Sequence, residues 1–310
     1  MTLTVVSQSL APTAITPLER AIFETLAYSD IFDYPLMLIE LRRYLSLSIS
    51  LDELKSQIPL INSLPNRDGY YHLPGRDEIV AIRKGRNSAS RRDFHRALSN
   101  GKILAHIPFV RMVAMTGSLA VLNLSKNADM DFMLVTAPHR LWIARAFAVT
   151  FGRLMRLTGD RICVNLLVSE RALEWPRHDL YSAREMAQMI PIAGLNMYHK
   201  LRESNPWVAT ILPNASDLPD HSPPKPDETG SWIQHFLELL FPGKFGAWLD
   251  DLLMKIQLRK INRKYGHSAE ANFNVHVCQG NFHDHRAWAD EFFRARLVSL
   301  GLESGDGSTQ

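Results

Sequence analysis

Residues 110–136 read VRMVAMTGSLAVLNLSKNADMDFMLVT. The two apolar runs, 110–115 and 130–136, have the length and composition of buried strands, and Thr116-Gly117-Ser118 forms a turn after the first. Ten residues separate Ser118 from Asp129, and Asp129-Met130-Asp131 enters the second run directly. Side chains alternate along extended backbone, so the two carboxylates fall on one side and converge. Such a pair suits a hard divalent cation, because Mg²⁺ is usually held by one or two carboxylates plus substrate phosphates. Gly117 permits a phosphate to approach the backbone closely, and Ser118 offers it a hydroxyl and an N–H.

Helix and strand patterns alternate around this segment. The spacing predicts a long helix over 78–105, a helix over 140–157, a strand over 161–168 and a helix over 180–190. Upstream, Thr16-Pro17-Leu18-Glu19 starts one helix, residues 36–45 form a second, and Ser50 with Glu53 caps a third. Gly69-Tyr70-Tyr71-His72-Leu73-Pro74-Gly75 then reads as a strand pair or wing, so 16–77 is expected to be a winged helix-turn-helix. Residues 78–204 form the central domain. Six prolines between 205 and 226 mark 205–230 as a linker, 231–300 is read as helical, and 1–15 and 301–310 as a leader and a disordered tail. The expected class is α+β or α/β: an N-terminal winged helix, a central domain on a small mixed sheet, and a C-terminal helical part.

The Gly-Ser turn, the spacer and Asp-x-Asp at a strand start together resemble the nucleotidyltransferase superfamily of DNA polymerase beta. The preceding winged helix, Ile107-Pro108-Phe109-Val110, Leu180-Tyr181 and Glu185-Met186-Ala187-Gln188-Met189 extend the likeness over roughly residues 18–215. They look like a bacterial and archaeal group that joins a winged helix to such a domain. The resemblance implies a polymerase-beta-like fold in which Gly117 and Ser118 hold the nucleotide's phosphates and Asp129 and Asp131 coordinate metal. Leu122 stands where many members have glycine, and Ala128 replaces a frequent serine. The superfamily's third carboxylate comes from a later strand, and this chain offers Asn165 there, between Val164 and Leu166, which should face the other way. An amide supplies a carbonyl oxygen but no charge, so Asn165 is a weakened third catalytic position, with Asp160, Glu170 and Asp179 the nearest acids in sequence.

With 46% hydrophobic residues and a net charge of +3, the 310-residue chain is neither disordered nor a polyelectrolyte. Two cysteines, Cys163 and Cys278, provide neither a disulfide framework nor a cysteine zinc site, which fits a reducing cytoplasm. No signal-peptide pattern is read at the N-terminus. The most apolar helix carries Arg145, Arg153 and Arg156, so no membrane partner is expected. Basic residues concentrate on the 78–105 helix, where Arg83, Arg86, Arg91 and Arg92 are candidate nucleic-acid contacts, whereas the expected recognition helix carries Asp52 and Glu53. Lys255, Arg259 and Arg263 form a second stripe, read as an exposed face, and His283-Asp284-His285 lacks a third defined metal ligand. The leading reading is a Mg²⁺- or Mn²⁺-dependent nucleotidyltransferase moving an NMP group from an NTP to a hydroxyl or phosphate acceptor. The alternative is a catalytically weakened nucleotide-sensing or nucleic-acid-binding regulator that acts through the winged helix.

Overall fold

The computed structural model describes residues 15–61, 64–126, 128–223, 225–266, 271–280 and 285–303. Among these, the chain is mixed α+β, with twelve α-helices, a mixed six-stranded sheet and a small antiparallel sheet.

The first helix, α1 (Pro17–Asp30), begins at a capping box in which Thr16 and Glu19 satisfy each other's backbone N–H groups. It is followed by β1 (Leu36–Met37), α2 (Leu38–Tyr44) and α3 (Leu51–Gln57), then the hairpin β2 (Asn66–Arg67) and β3 (Tyr70–Tyr71). The hairpin starts earlier than the 69–75 expectation because Asp68 and Gly69, both at positive φ, make its turn rather than its second strand. β3 lies between β1 and β2, antiparallel to both.

After α4 (Glu78–Leu104) come β4 (Val110–Met115), the short α5 (Gly117–Ala120) and β5 (Met130–Thr136). The crossover helix α6 (Leu141–Met155) leads to β6 (Ile162–Ser169), which runs parallel to β5. Then follow α7 (Leu180–Gln188), β7 (Ile190–Ala193), α8 (Leu195–Glu203) and α9 (Trp207–Ile211). The sheet order is β7-β4-β5-β6-β9-β8, where β8 (Asn272–Phe273) and β9 (Val277–Gln279) come from the region expected to be helical. That region also contains α10 (Trp232–Leu239), α11 (Gly243–Tyr265) and α12 (His285–Ser299). β7 lies at the sheet edge, the position that tolerates Pro191, and the proline hides it from pattern reading.

Each face of the sheet has its own core. Met112, Ala114, Met133, Val135 and Val168 pack with α7, α8 and the N-terminal module, so Leu26, Leu41 and Leu54 belong to the same cluster as the sheet. Val113, Met115, Phe132, Leu134 and Leu167 face α4, α6 and α11. The 205–230 segment is not a free linker: Val208, Leu212 and Ala215 are buried in the first core, and Asn214 bonds to Ile49 N and to the carbonyls of Leu45 and Leu47. Among the described residues, no helix is long and apolar enough to cross a membrane. The leader expected at 1–15 lies outside the described residues except for Ile15, as does the tail from 304 onward.

Arg83, expected as a candidate nucleic-acid contact, is instead turned into the interior. Its side chain is fully buried, ion-paired to Glu40 Oε1 at 2.9 Å and stacked 4.1 Å from the Tyr34 ring centroid. It also donates to the carbonyls of Val121 and Leu122 at 2.7 and 3.0 Å. Removing one partner of a buried pair leaves the other charge uncompensated. Arg83→Met should therefore lower unfolding free energy by about 3 kcal/mol in urea titration, while Arg91→Met, on the exposed face of α4, should change it by less than about 0.5 kcal/mol.

Candidate active site

The turn after β4 is shaped around the carboxylate on β5. Thr116 N donates to Asp131 O at 3.0 Å, which holds the turn against the start of the neighbouring strand. Gly117 has φ +65°, and a Cβ there would lie 2.7 Å from Asp131 Oδ2. Glycine is thus required twice, by the left-handed backbone and by the carboxylate lying over it. Ser118 follows in α5, and its carbonyl accepts from Asn123 N at 2.9 Å, closing the loop on itself.

Leu122, noted above as standing in a glycine position, has φ +53°. A β-carbon in this region costs roughly 1–2 kcal/mol. The buried Leu122 side chain and the Arg83 bonds to the two adjacent carbonyls hold the loop in that conformation.

A cleft of about 1040 Å³ opens at this end of the sheet, and Gly117, Ser118, Asp129, Asp131 and Asn165 all line it. Asp129 is partly exposed and its Oδ1 lies 2.7 Å from Arg161 Nε, at the entrance to β6. Asp131 is half-buried where it lines the cleft; burial, and then the charge of Asp129, push its carboxyl up to about 7. Cys163 stands opposite Asp131 in the parallel register, its thiol pushed up to about 12 by burial and by the two aspartates. It therefore remains protonated and donates to Asp131.

Asn165 lies at a bulge. Val164 pairs with Phe132 and Leu166 with Met133, leaving Asn165 as the extra residue of β6. The expectation that Val164 and Leu166 share a face is corrected by this: Val164 packs on the α4–α6 side and Leu166 on the α7–α8 side, because the extra residue resets the alternation. Among the described residues, Asn165 Oδ1 is buried without a hydrogen-bond partner.

The acids nearest in sequence play other parts. Asp160 is bound by Arg96 and Asn100, Glu170 lies 3.7 Å from Arg111, and Asp179 caps α7 and pairs with Arg286. The acid that does enter the cleft is Glu185 on α7, which sequence reasoning quoted only as part of a resemblance. Burial, and then Asp131, push its carboxyl up to about 7, and Gln188 Nε2 donates to it at 2.6 Å. The amphipathic pattern of α7 places a residue on a face but does not tell which end of the sheet that face meets.

Among the described residues, no three His, Cys, Asp or Glu side chains are assembled as a metal cage. The available donors are the Asp129 and Asp131 carboxylates and the orphaned Asn165 carbonyl oxygen, all hard oxygens. They fit Mg²⁺ or Mn²⁺ drawing its remaining ligands from phosphate and water. Of the arginines read as nucleic-acid contacts, Arg83 is buried and Arg86 is turned onto Phe32 O and Asp33, so Arg91 and Arg92 are the two that project from α4. His283 and Asp284 lie outside the described residues. No protein-family model, curated protein or solved structure matches the chain.

Three carboxyls raised in the folded state, Asp131, Glu185 and, at about 6 through burial, Asp250, bind protons that the unfolded chain releases near pH 4, so folding stability falls as pH rises from about 4 through 7. The metal-free protein should therefore melt at a higher temperature at pH 6 than at pH 8. Asp131→Asn should stabilise it at pH 8 by about 1 kcal/mol and weaken that dependence without removing it. A melting temperature independent of pH over this range would contradict the assignment.

Proposed function

We propose that the chain is a metal-dependent nucleotidyltransferase that moves an NMP group from an NTP to a hydroxyl or phosphate of an acceptor. The observation that carries this reading is the packing of the Gly117 turn directly against Asp131, inside a cleft shared with Asp129 and the orphaned Asn165 oxygen. The order β4, turn, β5, crossover helix and parallel β6 supports a polymerase-beta-like domain. Helix, strand, two helices and a hairpin around an antiparallel β1-β3-β2 sheet support a winged helix before it.

In this reading Asp129 and Asp131 hold the ion. When bound, Mg²⁺ supplies neutralisation of the triphosphate and polarises the phosphate under attack. The Gly117 turn brings backbone against the terminal phosphates, and Ser118 donates to them. Arg161 lies beside Asp129 and half exposed, within reach of an anionic group arriving there. Asn165 contributes its carbonyl oxygen without charge. The cleft has room for a nucleotide and an acceptor group together, and closure of the pair in one geometry supplies most of the rate.

Mg²⁺-dependent NTP binding and pyrophosphate release by the purified chain are the direct test. Asp131→Asn should abolish Mg²⁺-dependent binding in calorimetry. Gly117→Ala should weaken it at least tenfold, because the added methyl group meets the Asp131 carboxylate in a strained backbone. Asn165→Asp should leave binding intact and raise turnover. Binding without pyrophosphate release in both wild type and Asn165→Asp would favour the nucleotide-sensing alternative, and NTP binding unchanged in Asp131→Asn would end both readings.

A further inference from the structure

The helix α10 is mounted with its polar side inward. Gln234, with no exposed surface, donates through Nε2 to Ile107 O and Val110 O at 3.0 and 2.7 Å. One turn later Glu238 accepts from Phe109 N at 2.7 Å and from Arg111 Nη1 at 2.8 Å. These four bonds fix the rotation of the helix. Its apolar residues consequently point to solvent: Trp232 is 78% exposed, Leu239 75%, Phe236 60% and Leu240 53%.

α11 carries a second exposed apolar row, in which Phe245, Trp248, Leu252 and Ile256 recur at spacings of three, four and four. Phe241, between the two helices, packs its ring 6.3 Å from Phe147 of α6, which is also exposed. These side chains together present roughly 1,000 Å² of apolar surface, more than the few hundred Å² a monomer ordinarily leaves bare. The core of the sheet does not need them, since α11 turns Ile261 and Leu253 inward.

Charge selects the occupant. Lys244, Lys255, Arg259, Lys260 and Arg263 are exposed along α11, and Arg156 is exposed just beyond α6. Among the described residues of α6, α10 and α11, Asp251 is the one exposed acid; Asp250 is buried on Ile143 N, and Glu238 is occupied by Arg111. A second copy of this face would oppose bases with bases. An aromatic and aliphatic face bordered by Lys and Arg matches an anionic bilayer surface, where the rings enter the headgroup boundary and the bases meet phosphate.

We propose that the α10–α11 face docks the protein peripherally on an anionic phospholipid membrane, the two helices lying in the interface. The expectation of no membrane partner rested on the lack of a spanning segment, and interfacial docking needs none. The Lys255-Arg259-Arg263 stripe, read in sequence as an ordinary exposed face, becomes its charged border.

The test is flotation of the full chain with vesicles of phosphatidylcholine alone and of phosphatidylcholine with equimolar phosphatidylglycerol. The chain should partition onto the anionic vesicles roughly tenfold more strongly than onto the neutral ones. Replacing Trp232, Phe236 and Leu239 together by serine should reduce partitioning about tenfold or more without lowering the melting temperature, because these side chains are largely free of the core. Lys255→Glu combined with Arg259→Glu should remove the preference for anionic vesicles while folding is retained. Failure to float with either vesicle would overturn the proposal, as would flotation indifferent to both sets of substitutions. A dimer in light scattering that the triple-serine variant dissolves, with no vesicle binding, would instead assign the face to a second copy.

Discussion

The buried guanidinium of Arg83 is the interaction on which the arrangement of the site depends. It starts from α4 and reaches Glu40 and Tyr34 on one side and the carbonyls of Val121 and Leu122 on the other. One charge thereby satisfies an acid of the N-terminal module and two backbone groups of the loop between the turn and Asp129. Desolvating an arginine is costly, and the pair is tolerable because nearly every donor finds an acceptor. Arg184 acts similarly nearby, buried between the rings of Tyr28 and Tyr44 and bonded to Thr25 O and Ser29 Oγ. The N-terminal helices and the segment between them therefore contribute Tyr28, Phe32, Tyr34 and Tyr44 to the cleft's wall.

Inside the cleft the balance is reversed. Asp131 and Glu185 stand close enough for Asp131 to raise the carboxyl of Glu185, and among the described residues neither has an arginine partner, whereas Asp129 has Arg161. A folded protein that holds carboxyls in this condition carries an electrostatic cost that protonation or a cation relieves. The same geometry explains why Gly117 can be nothing larger.

Legibility in the sequence followed how completely each residue's surroundings were local. β4 and β5 were read to the residue because an interior sheet strand is a continuous apolar run bounded by turns, and α4 was read to within one residue because its pattern is long. β8 and β9, two and three residues long, carry too little pattern to see, and Pro191 disguises an edge strand. The 205–230 prolines were read as freedom although Asn205, Asn214 and Leu212 are buried, since composition does not show what a segment packs against. Asp129, Asp131, Gly117 and Ser118 line one cleft, as their spacing between two apolar strands led one to expect. Arg83 was misplaced because a charge in a basic helix is assumed to face water, and Glu185 was missed as a cleft residue because helical periodicity gives a face but not its neighbour.

The bulge at Asn165 gives β6 a fixed count. Before it, Cys163 and Val164 line the cleft while Ile162 enters one core; after it, Leu166, Leu167 and Val168 divide between two cores whose sides are set by that single extra residue. Deleting one residue there would exchange the sides of everything that follows, whereas replacing Asn165 by another side chain leaves the downstream alternation untouched. The position is thus free to change in identity while its existence is obligatory, so the chemistry offered at this point can be altered one residue at a time without renegotiating the core.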